Sequence, residues 1–178
     1  MKLIRCTTLL FAGILIGYGL PTAVWAQQDQ ATGQAEATVE PRSIYVSEER
    51  PLSFGTFIPL GTTDGYVDVR CDGTFGNGNV VVLYEGYRAQ WSVSGVPSLE
   101  YTVTIPTGTT ISNGTNGMEV DTMVVYDDTN GSCVEQSLVR YLSSQGYDTF
   151  YLGAIVRVNQ NQEEGTYAGS YDVTVAYN

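Results

Sequence analysis

The chain has 178 residues, with 8 basic and 19 acidic side chains, no histidine and a net charge of −11. That balance excludes a nucleic-acid role, because phosphate contacts need Lys and Arg, and it disfavours an anionic membrane surface. Without histidine the commonest general base and metal ligand is missing, and Ser or Cys nucleophiles lack their usual partner; we expect no enzyme and no cofactor.

Residues 1–26 read as a secretory leader. Lys2 and Arg5 make a positive start, Leu9 to Leu20 is apolar, and Val24-Trp25-Ala26 offers small residues at the positions a signal peptidase reads. The apolar run is shorter than the roughly 20 residues that span a bilayer, and no later segment approaches that length. Cys6 precedes the run, which is the wrong setting for a lipoprotein cysteine. Cleavage before Gln27 removes two cations and no acid, so the net charge becomes −13 over 152 residues. A chain of that size makes one domain that buries roughly 70% of its unfolded surface. Residues 27–34 are polar and Gln-rich and are expected to be a flexible extension. The domain is placed at 35–178.

Alternation begins at Ala35, Ala37 and Val39, is interrupted by Pro41, and resumes at Ile44 and Val46. Short apolar units follow at Pro51–Phe57, Tyr66–Arg70, Asn79–Tyr84, Gln90–Val96, Glu100–Ile105, Met118–Tyr126 and Thr149–Val158. Turn pairs punctuate them: Asp64-Gly65, Asn77-Gly78, Asn113-Gly114, Asn116-Gly117 and Asn130-Gly131. Strands of this length with turns between them predict an all-β sandwich. The predicted core includes Phe54, Phe57, Val67, Val69, Val81, Leu83, Trp91, Val93, Tyr101, Val103, Ile105, Val120, Met123, Val125, Phe150, Leu152, Ile155, Val173 and Val175. Trp91 reads as a core residue in preference to a sugar platform. Between Ser132 and Gly146, Val134, Leu138, Tyr141 and Leu142 fall at helical spacing, although strand parity also fits; we expect a short helix or an irregular crossing.

After the leader two cysteines remain, Cys71 and Cys133. In an oxidising compartment they are expected to form one disulfide, closing a loop of about 63 residues for roughly 4 kcal/mol. Two thiols without histidine make a poor metal site. The carboxylate pairs Glu119/Asp121 and Asp127/Asp128 read as solvated surface in place of a glycosidase pair. Asp127-Asp128-Thr-Asn-Gly131 lacks the acid ladder of a calcium loop, and Gly73, Gly76 and Gly78 have neither the Lys nor the helix of a phosphate loop.

The last fourteen residues run from Gly165 to Asn178. Tyr167, Gly169, Tyr171, Val173, Val175 and Tyr177 share one side of a period-two chain, which predicts a long strand apolar on one face. A glycine fourteen places from the end, alternating apolar residues and a penultimate aromatic resemble the last strand of chaperone and usher pilus subunits. With Leu52-Ser-Phe-Gly-Thr-Phe-Ile-Pro59, Trp91-Ser-Val-Ser-Gly95, Tyr101-Thr-Val-Thr-Ile-Pro106 and Leu152-Gly-Ala-Ile-Val-Arg-Val158, residues Ala35 to Asn178 resemble the bacterial secreted family called domain of unknown function 4402. That family is similar in turn to spore-coat-U-like pilins.

The resemblance implies an immunoglobulin-like sandwich lacking one strand, with a groove beside its last strand. It implies a surface fimbria or pilus-like fibre built by strand donation, exported through the periplasm of a Gram-negative bacterium. Partners are then other copies or related subunits, a periplasmic chaperone and an outer-membrane usher. The donor strand is expected at Ala35, Ala37, Val39 and Ile44. The acceptor and chaperone-contact strand is expected at Gly165, Tyr171, Val173, Val175 and Tyr177. Read from the residues alone, 35–46 serves equally as the first strand of a self-complete secreted sandwich. Such a module would use its tyrosines, twelve of which follow the leader, to bind a cell surface or a glycan.

Overall fold

A computed structural model describes residues 34–61 and 63–178; the expected leader and residues 27–33 of the extension lie outside them. Residues 34–43 form no strand and are exposed, and Val39 is 94% accessible. From Glu40 the chain makes one compact unit. Its strands are β1 (Ile44–Arg50), β2 (Ser53–Pro59), β3 (Gly65–Val69), β4 (Phe75–Gly78), β5 (Val80–Tyr87), β6 (Ala89–Gly95) and β7 (Glu100–Thr104). They continue as β8 (Gly108–Ser112), β9 (Gly117–Asp127), β10 (Ser132–Glu135), β11 (Ser137–Tyr141), β12 (Tyr147–Val158) and β13 (Thr174–Tyr177). No helix occurs among the described residues, so none is long and apolar enough to cross a membrane.

The architecture is the expected all-β sandwich, with every named strand pair antiparallel. Its centre is β12, whose sequence Phe150-Tyr-Leu-Gly-Ala-Ile-Val is almost continuously apolar. It is paired on both edges, and its even-numbered residues from Phe150 to Val158 are buried, while Tyr147, Thr149 and Arg157 on the other face are exposed. One edge of β12 pairs with β6 up to Leu152 and with β3 from Ala154; the other pairs with β9. The change of partner falls at Gly153, where any Cβ would press into the backbone of Val69 and Cys71. β9 carries β8 and β10 on its outer edge, β1 flanks β6 and β4 flanks β3. A second sheet has the order β11-β7-β13, and β2 and β5 form a separate ribbon. One buried cluster joins the layers, with Val67, Val93, Tyr101, Val103, Val120, Met123, Phe150 and Leu152 at its heart.

Several expectations need correction. Ser132–Gly146 is not a helix but β10, a corner at Gln136 with φ 67°, and β11, which moves the chain from the β9 edge to the β7 edge. Leu138, Arg140 and Leu142 point inward from this stretch. Arg140 is buried because Asp148, Asp128, Tyr126 O and Thr149 O accept its hydrogen bonds, at 2.6, 2.7, 3.1 and 3.1 Å. Val81 and Leu83 are 46% and 52% exposed, while Val80 is buried and Val82 half-buried. The run Val80-Val-Val-Leu has no alternation of its own, so its parity comes from pairing with β2, where Val82 stands opposite Phe57. Asn77-Gly78 lies inside β4 and makes no hairpin turn. The long terminal strand is reduced to Thr174–Tyr177.

Candidate functional site

The two cysteines meet as expected. Cys71, fully buried just after β3, is bonded to the exposed Cys133 on β10, with Cα atoms 5.9 Å apart. The bridge ties the end of β3 to the β9–β10 hairpin within the same large sheet.

The terminal segment is where expectation and geometry part. Val175 stands opposite Val103 and Tyr177 opposite Tyr101 on β7. Tyr177 Oη accepts from Val96 N at 2.6 Å and donates to Ser43 O at 3.0 Å, tying the end of the chain to the entry of β1. Upstream, Tyr167, Tyr171 and Val173 keep the period-two burial and pack against the core, but they belong to no ladder. Between Glu163 and Val173 the main-chain pairing among the described residues is confined to Ala168 with Ser112 on β8. Thr109 adds one side-chain bond to Ser170 O at 3.0 Å.

Across from this segment lies β2. It pairs only with β5 among the described residues, so its second edge carries no ladder. The edge and the segment enclose an open groove of about 860 Å³. Its floor is apolar, with Phe54, Phe57, Ile111, Met118, Val120 and Val156, and Tyr167 and Tyr171 stand on the far wall. Gly165 lines the groove as well; Glu163 and Glu164 make that end acidic. The Tyr171 phenol is pushed well above the ordinary tyrosine value, chiefly by burial and further by the Glu48 carboxylate that its hydroxyl faces at 3.4 Å. Trp91 stacks on Phe150 with ring centres 6.3 Å apart and meets Tyr171 edge-on at 6.1 Å. It is therefore a core residue, and its indole N–H has no hydrogen-bond partner.

The expected donor and acceptor residues thus separate into four groups. Gly165 and Tyr171 line the groove, while Val173, Val175 and Tyr177 continue along the core beyond it. Ile44 is the first residue of β1, half-buried opposite Gly95. Ala35, Ala37 and Val39 stand in the exposed stretch before it. The sequence reading missed β2 as a groove wall, although a signal was present. Phe54 and Phe57 are three apart, which alternation forbids unless a residue between them breaks the pleat. Gly55 does so with φ 81°, and a Cβ there would run into the backbone of Tyr84 and Gly86.

Of the acidic pairs, Asp121, Asp127 and Asp128 are engaged in local structure. Asp121 pairs with Arg157 at 2.8 Å. Asp127 accepts from Thr129 N and Asn130 Nδ2 in the β9–β10 turn, and the Thr129 amide first among these holds its carboxyl below the usual range. Asp128 pairs with Arg140.

Residues 44–177 match the family described as Domain of unknown function (DUF4402). No curated protein matches the chain.

Proposed function

We propose that this chain, which belongs to the DUF4402 family, is a structural subunit of a surface fibre, related to spore-coat-U-like and chaperone and usher pilins and joined by β-strand donation. One observation carries the reading. The groove has apolar side chains at its floor and main-chain edges without ladders on both walls, at β2 and at residues 169–173. Buried or half-buried backbone groups seek partners, and an inserted strand supplies them on both sides at once. Its alternate side chains cover Phe54, Phe57 and Ile111, so ladder bonds give affinity and the floor gives register. The exposed stretch holding Ala35, Ala37 and Val39 is a segment of the right character to be donated, apolar on alternate residues and outside the strands. Because donor and acceptor are different surfaces, the addition is head-to-tail and does not close, which yields a filament. Export, a periplasmic chaperone and an usher belong to the same reading.

The test compares the exported chain with a version whose mature part starts at Ser43. We expect the longer chain to form SDS-resistant ladders on unheated gels, and the shorter one to melt at higher temperature once a peptide of residues 30–42 is added. A longer chain that stays monomeric with a sharp melt overturns the reading and favours a self-complete secreted module.

A further inference from the structure

The outer face of β1, β6 and β12 carries a second constellation, turned away from the core and independent of strand donation. Tyr45 on β1 and Tyr147 on β12 both stand opposite Ser94 on β6, so the three side chains form one row across the sheet. The two tyrosines are 66% and 65% exposed. Their Cα atoms are about 9.6 Å apart across two strand spacings, so the two rings stand far enough apart to stack separately on an extended ligand. The next row on the same face is Ser47, Ser92 and Thr149, again in register. Ser92 and Ser47 hydroxyls lie 2.9 Å apart, and both donate to Glu49 Oε1, at 2.6 and 3.1 Å. Beyond them the face ends at Gln90 and Tyr151, whose ring is covered by the Arg88 guanidinium 3.6 Å from its centre.

We propose that this face is a platform for an uncharged saccharide, with Tyr45 and Tyr147 stacking on sugar rings over a floor of Ser94, Ser92 and Ser47. The chemistry favours a sugar over a protein. Protein-docking surfaces are apolar at the centre with a polar rim. Here the order is inverted, with hydroxyls in the middle and aromatic rings at the flanks. The Ser92 and Ser47 protons are committed to Glu49, so these two hydroxyls present oxygen lone pairs to a ligand rich in hydroxyl donors. Ser92 above all, then Ser47, holds the Glu49 carboxyl below its usual range. Tyrosine supplies an apolar ring face without needing to be buried.

Saturation-transfer NMR on the exported full chain, with methyl α-mannoside, lactose and N,N′-diacetylchitobiose as probes, tests the proposal. We expect transfer to at least one probe, affinity reduced at least tenfold in Tyr45→Ala and in Tyr147→Ala, an unchanged melt in both variants, and little dependence on salt. Absence of transfer to all three probes overturns it. So does binding that both variants retain, or a concentration-dependent shift of these residues without sugar, which would assign the face to a contact between copies.

Discussion

At the scale of single residues, this chain uses burial to set the chemistry of its tyrosines. Tyr101 is fully buried, and its hydroxyl donates to Asp148 Oδ2 at 2.6 Å, the same carboxylate that holds Arg140. Burial first, and the hydrogen bond to Asp148 second, push its phenol well above the ordinary value of about 10. Tyr171 is raised in the same way, by burial first. Both folded values lie above the unfolded one, so the stability these protonated phenols contribute is complete below about pH 10 and is lost as pH rises through the folded values. We therefore expect the phenolate absorbance of the native chain between pH 10 and 11 to fall short of that in guanidinium by at least these two tyrosines, and unfolding to follow at higher pH. Coincident native and denatured titration curves would show that neither phenol is shielded.

At the scale of elements, most strands were legible and the exceptions have physical causes. β3, β6, β7, β9 and β12 each bury one face or both, so alternation or an apolar run located them. β10 and β11 were obscured by Arg140, a charge at an inward position that only its partners on β9 and β12 make tolerable. β5 was found but its parity was not, because four consecutive apolar residues carry no phase. The terminal segment is the reverse case. Its pattern is that of a strand from Tyr167 to Tyr177, its burial obeys that pattern except at the exposed Gly169, and its ladder begins only at Thr174. Side-chain periodicity reports which face is apolar; hydrogen bonding also needs a neighbour at the edge. The groove itself was implied by resemblance, while β2 as its opposite wall needed the topology. Hydrogen exchange measures this difference. Amides of residues 169–173 should exchange as fast as those of an open loop in the isolated chain, while β12 is protected, and they should slow when a strand occupies the groove. Protection of 169–173 equal to that of β12 in the isolated chain would mean the segment already has partners.

At the scale of the whole molecule, the groove creates a stability problem that the disulfide addresses. A sandwich with an uncovered apolar channel forgoes part of the burial that a closed one would have. Cys71 and Cys133 are 62 residues apart in sequence, and the loop between them contains β4 to β9, including four strands of the main sheet. Restricting so long a loop acts mainly on the unfolded chain, so it raises stability without filling the groove or changing its walls. In the chain-entropy account this is worth roughly 4 kcal/mol, a large share of the 5–15 kcal/mol typical of a domain. Cys71→Ser with Cys133→Ser should therefore lower the urea midpoint by an amount corresponding to about 4 kcal/mol, and reducing agent should lower the wild-type midpoint similarly while leaving the double variant unchanged. Peptide binding in the groove should then restore part of the lost stability by mass action, because occupation adds to the native state alone. A double variant as stable as the wild type would place the stability of the open sandwich in its core packing and not in the bridge.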